Sequence, residues 1–193
     1  MSNAVTYKTM GSVVIITLNK PDRMNRLDAE IVDGLHFAWK RFMRADQERV
    51  AVLAGNGKAF STGADLKAIP HDLYRAIPSI GVPVDKPVIG AVQGWCVGGA
   101  MVLTTMCDLL VAADNTTFSY PEVKIGFSGG LISNLASRIP HKIAMELLLT
   151  GEPITAQRAY EVGYVNKITP AEDVMKEAMS YAEGIAAQAP KPS

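Results

Sequence analysis

Three stretches of the chain carry residue types that could do chemistry. The first is Gln93-Gly94-Trp95-Cys96-Val97-Gly98-Gly99-Ala100-Met101-Val102-Leu103. An apolar run, Pro87 to Val92, leads into it, and a helical run, Ala100 to Cys107, leads out. A strand, a glycine turn and a helix start in that order leave backbone N–H groups without intrahelical acceptors. Gly98 and Gly99 have no side chain to keep a ligand away from those groups. Such a place suits an oxygen that gains negative charge during a reaction. Taken alone, the stretch fits a plain strand-to-helix connection better, because short glycine motifs recur without function. The second stretch is Lys58 to Lys67, where small residues again surround a glycine, Gly63, after a strand. Asp65 can hydrogen-bond the backbone of that turn. The third is Tyr120-Pro121-Glu122-Val123. Pro121 keeps Tyr120 extended, which predicts Glu122 on an irregular segment between apolar residues. A carboxylate there is either an exposed loop charge or a partly buried acid. Burial would raise its pKa towards the range useful for proton transfer.

The elements that must position these stretches follow from pattern. Tyr7 to Met10 and Val13 to Leu18 flank Gly11-Ser12 and predict a hairpin. Asp28 is an N-cap for a helix to about Arg44, with Ile31, Leu35, Ala38, Trp39 and Phe42 on its buried stripe. Arg49 to Ala54 and Asp108 to Ala113 read as buried strands, and Thr117 to Ser119 as a short extended piece. The proline-rich 68–85 region predicts a loop with a short helix near Asp72 to Ile77. His71 in it has no identifiable partner and reads as a solvated residue. Ser128-Gly129-Gly130 opens a helical region in which Leu131, Leu135 and Ile139 share a face. Helices follow from Pro140 to Gly151 and from the Thr155 N-cap to Val162. After a short strand or extended connector at Tyr164 to Ile168, Thr169 is predicted to cap a last helix, with Pro170 at its first position, to about Ala187. Met175, Met179, Ala182 and Ile185 are its inner face.

Composition narrows the function classes. The chain has 193 residues, 48% hydrophobic and 20% charged, as expected of one globular domain. Lys plus Arg equals Asp plus Glu, 19 each, so no basic excess argues for nucleic acid or an anionic membrane. Cys96 and Cys107 sit in apolar surroundings outside any CxxC pair, which argues against a disulfide framework or a zinc site. His36, His71 and His141 have no metal-ligand spacing, so no metal is expected. No leader and no apolar run of membrane-spanning length is evident. A cytoplasmic protein is expected.

In order and spacing, the chain from about Val13 to Ala187 resembles the crotonase superfamily, the enoyl-CoA hydratases and isomerases. The resemblance rests on Leu18-Asn19-Lys20-Pro21 with Asn25 and Leu27, on Ala59 to Leu66, on Pro87 to Gly94 through Gly98-Gly99 to Cys107-Asp108, and on Pro121-Glu122 with Gly126. Leu149 to Ala156 and Ala159 to Val165 agree. It implies an α/β fold, a spiral of ββα units followed by C-terminal helices, as a single domain. Its core would span about residues 5–168 and its helical end 169–188, an end that reads as truncated. It implies trimers or paired trimers. It implies an acyl-CoA substrate, with coenzyme A as part of the thioester and no permanently bound cofactor. The thioester oxygen would be held by the N–H groups of Ala64 and Gly99. Coenzyme A would lie along Arg23, Met24, Ala64, Asp65, Leu66, Lys67 and Gly99, with Lys67 at a phosphate.

The chain departs from the family's hydratase pattern at one position. Hydratases use two glutamates, one of them three residues beyond the oxyanion-hole glycine. Glu122 matches the second, but the first position is Val102, which has no proton to give or take. The favoured expectation is therefore a single-base double-bond isomerisation with Glu122 as acid and base. Hydration remains an alternative, as do dehalogenase, hydrolase and decarboxylase chemistry. From another class comes a non-catalytic acyl-CoA-binding or scaffold protein.

Overall fold

The computed structural model describes residues 3–65, 68–127 and 130–188. Leu66, Lys67, Ser128 and Gly129 therefore lie outside the described residues.

The hairpin forms as its sequence predicts. β1 (Val5–Met10) pairs antiparallel with β2 (Val13–Leu18). From β2 onward the large sheet is parallel: β3 (Val50–Gly55), β4 (Val88–Val92), β6 (Leu109–Ala113) and β9 (Lys167–Thr169) add in that spatial order. A parallel sheet is covered on both faces, so its strands read as continuous apolar runs. Alternation sorts them here. Val14, Ile16 and Leu18 of β2 join one core with Leu53 of β3 and Leu110 of β6. Val13, Val50, Val52, Ile89 and Val111 face the other side.

A helix covers each face. α1 (Ala29–Arg44) starts where the Asp28 side chain accepts a hydrogen bond from Ile31 N–H at 3.1 Å. It buries Ile31, Leu35, Ala38, Trp39 and Phe42, the expected stripe, and Val32 as well. Trp39 Nε1 donates to the Ala76 carbonyl at 2.8 Å, which ties α1 to the short 3-10 turn Leu73–Ala76. On the opposite face lies α6 (Val174–Ala186), with Val174, Ala178 and Ala182 buried and Met175, Met179 and Ile185 partly so. Thr169 does not cap it. Thr169 ends β9, and a 3-10 turn, Ala171–Asp173, leads into the helix.

A small second sheet holds the functional segments. β5 (Trp95–Val97) pairs parallel with β7 (Thr117–Ser119), and β7 pairs antiparallel with β8 (Ile154–Thr155). Each pass of the chain leaves one strand in the large sheet and the next in the small one, β4 then β5, β6 then β7. Ser61, after β3, bridges Cys96 in parallel and repeats the step without becoming a strand. α2 (Gly99–Thr105) follows β5 directly. This strand, strand, helix spiral is the predicted fold class. The helical region expected after Gly130 reduces to α3 (Leu135–Arg138), one turn before α4 (His141–Thr150). α5 (Ala156–Glu161) is capped by the Thr155 side chain as predicted. Among the described residues no helix is long and apolar enough to cross a membrane.

The loop before α1 is tied to the strand connections by one buried amide. Asn25, at φ 52°, accepts from Lys20 N–H at 2.8 Å and donates to the carbonyls of Asn56 at 2.8 Å and Ala59 at 2.9 Å. Asn25→Ala leaves all three groups without their partner. It is expected to lower the unfolding free energy by about 3 kcal/mol, read as an earlier midpoint in urea. A loss under about 1 kcal/mol would mean the loop is held by other contacts.

Candidate active site

The three stretches singled out by residue type meet because of strand order. β3, β4 and β6 are parallel neighbours. The segments that follow them therefore leave from the same end of the sheet. Those segments carry Ala64, Gly99 and Glu122.

The first donor is built by pairing. Leu27 N–H donates to the Gly63 carbonyl at 2.8 Å, and Asp65 N–H donates to the Leu27 carbonyl at 3.3 Å. In a parallel bridge of this kind the intervening Ala64 N–H turns the other way. It has no acceptor among the described residues. The second donor follows from β5. Gly98 N–H is used by the Ser119 carbonyl at 2.8 Å, and Gly98 O accepts Val102 N–H at 3.2 Å to open α2. Gly99 N–H is left without an acceptor among the described residues. The two glycines expected to present their amides thus divide the work, and Gly98 is a structural tie. Gly63 must be glycine for these segments to approach. A Cβ there would lie 2.5 Å from the Val97 carbonyl oxygen and 3.5 Å from Gly99 N, and its φ is 81°.

Glu122 lies on a 3-10 turn, Pro121–Ile125, and not on the irregular segment expected. The tie from Gly98 to Ser119 brings the turn over Gly98. A Cβ on Gly98 would lie 2.6 Å from Glu122 Oε1. Glu122 Oε2 is buried and has no hydrogen-bond partner among the described residues. Burial pushes the Glu122 carboxyl up to about 7, so it can take or hold a proton near neutrality.

Ala64, Gly99 and Glu122 line one cavity of about 130 Å³. Its walls are otherwise mostly apolar, with Ile69, Leu73, Val97, Val102, Ile125, Phe127 and Leu131. Leu73 and Ile69 come from the proline-rich 68–85 region. Tyr120 also faces the cavity, whereas His71 is exposed and does not. Arg23 borders a separate surface hollow of about 540 Å³ with Lys20, Asp22 and Glu30. Met24 is half-exposed, and its carbonyl accepts Thr62 N–H at 3.1 Å. Asp65 pairs with Arg26, Oδ2 to Nη2 at 3.3 Å. The positions of Leu66 and Lys67 fall outside the described residues. Two N–H donors beside a carboxyl that titrates near neutrality can hold a carbonyl oxygen and move a proton from the adjacent carbon.

The enoyl-CoA hydratase/isomerase family model matches residues 8–193. An (E)-benzylidenesuccinyl-CoA hydratase of Thauera aromatica is 37% identical over 200 residues, covering 96% of this chain and 77% of that protein. A carnitinyl-CoA dehydratase of Proteus mirabilis is 34% identical over 203 residues, covering 98% and 77%. The crystal structure of an enoyl-CoA hydratase from Mycobacterium tuberculosis superposes with a TM-score of 0.91 at 35% identity, covering 98% of this chain and 78% of that one.

An acid raised from 4.5 to about 7 on folding also affects stability. Below about 4.5 it is protonated in both states and costs nothing. As pH rises through about 7 the unfolded chain is favoured, because there the carboxylate is solvated. Glu122→Gln is neutral throughout. It is expected to melt with the parent near pH 4.5 and above the parent at pH 8. Equal melting at both pH values would show that the carboxyl is not desolvated.

Proposed function

The chain belongs to the enoyl-CoA hydratase/isomerase family, and from that premise we propose that it moves the double bond of an enoyl-CoA thioester. Glu122 removes a proton from the acyl chain and returns it elsewhere. The N–H groups of Ala64 and Gly99 hold the thioester oxygen while it carries enolate charge. Coenzyme A lies along Arg23, Met24, Asp65, Leu66 and Lys67. The backbone tie from Thr62 to Met24, which sets that loop beside the strand end bearing Ala64, supports this course.

One observation carries the reading. Among the described residues, Glu122 is the one carboxylate that lines the cavity, and Val102 stands three residues beyond Gly99 with its side chain buried in the same wall. Proton transfer between two carbons of one enolate needs a single base. Adding water needs groups that orient and deprotonate it as well. A second reading, hydration, is favoured by the names of the relatives, a hydratase and a dehydratase.

Product mass and thioester absorbance with a 3-enoyl-CoA and with crotonyl-CoA separate the two readings. Isomerisation is expected to be the faster, and hydration at an equal rate would overturn the preference. Glu122→Gln is expected to lower kcat/KM for the 3-enoyl-CoA by about 10²–10⁴-fold. Unchanged turnover would remove Glu122 from the chemistry. Because a base works deprotonated, kcat/KM of the parent should rise with pH through about 7. Thioester binding with no turnover of any kind would point to a non-catalytic member.

A further inference from the structure

Two tyrosines are buried among the described residues, Tyr164 and Tyr120, and their hydroxyls differ. The Tyr164 hydroxyl meets Thr104 Oγ1 at 2.8 Å, Thr105 Oγ1 at 3.0 Å and the Met101 carbonyl at 3.1 Å. Tyr120 is only 7% exposed and lines the Glu122 cavity, yet its hydroxyl has no hydrogen-bond partner among the described residues. The hydroxyl is not sealed in either, since among the described residues Glu122 Oε2 is the one fully buried side-chain oxygen that lacks a partner. A buried tyrosine normally finds a partner for its hydroxyl. An open, unpartnered one on a cavity wall is available to what enters the cavity.

The rest of the lining sharpens this. Thr62 Oγ1 is turned to the Met24 carbonyl at 3.5 Å. Glu122, once ionised, only accepts. The other side chains of the wall are apolar. We propose that the Tyr120 hydroxyl is a specificity-determining donor that holds an oxygen substituent at the β-carbon of the acyl group. It supplies the polar contact that Val102 does not. Burial and the neighbouring Glu122 charge push the phenol up to about 12, so it remains a donor throughout the working pH range.

The proposal rests on the acyl-CoA reading of the cavity, and its test separates the two. Turnover is removed with Glu122→Gln, and calorimetric titration compares butyryl-CoA with each enantiomer of 3-hydroxybutyryl-CoA, which differ by one β-oxygen. One enantiomer is expected to bind about tenfold tighter than butyryl-CoA. Adding Tyr120→Phe should abolish that preference and leave butyryl-CoA affinity within about twofold. No preference before the change, or a preference that survives it, overturns the proposal. Equal weakening of all the thioesters also overturns it and makes Tyr120 a wall residue. Failure of every thioester to bind overturns the acyl-CoA reading itself, and this proposal with it.

Discussion

The site depends on how closely the chain at Gly63 passes the chain at Val97 to Gly99. The contact leaves no room for a side chain, because a Cβ on Gly63 would lie 2.5 Å from the Val97 oxygen. Pairing on both sides holds the approach. Ser61 N–H donates to the Trp95 carbonyl at 3.0 Å, and Val97 N–H to the Ser61 carbonyl at 3.1 Å. Leu27 pairs across Ala64 on the other flank. Behind these bridges stand β3 and β4, in register from Ala51 opposite Val88 to Ala54 opposite Ala91. Two amides from segments more than thirty residues apart are thus brought to one cavity by a sheet. Preorganised donors of this kind favour developing charge because they need no rearrangement when it appears.

Much of this was legible in residue type. Gly63 and Gly99 follow strands, and apolar runs such as Val50 to Ala54 name those strands. The α1 stripe is readable because its spacing repeats over sixteen residues. What escaped were elements too short to have a period. β5 has three residues and β8 has two, and both exist because a neighbour pairs with them. The Gly98 amide is engaged for the same reason, since its acceptor, Ser119, is 21 residues away and is brought near only by the β5–β7 pairing. Whether Glu122 is an exposed loop charge or a buried acid turns on that pairing as well. The Tyr120-Pro121-Glu122 sequence allows both, and the tie from Gly98 to Ser119 selects burial.

The electrostatics of the cavity then form one system. Its apolar walls withhold solvent from Glu122 and raise its proton affinity. The same walls strengthen any hydrogen bond from Ala64 and Gly99 to an oxygen bound there. A second carboxylate at position 102 would add a like charge in the same wall, and two acids so placed would titrate as a coupled pair. With valine there, one proton and one charge are in play. The cavity is neutral when Glu122 holds the proton and carries a single negative charge when it does not. On the proposed reading, Glu122 takes a proton from a bound thioester and that charge moves to the thioester oxygen, next to two N–H groups without another acceptor among the described residues. On that reading charge transfer inside the cavity replaces charge creation, and the Glu122 carboxylate and the amides of Ala64 and Gly99 are the two ends of one transfer.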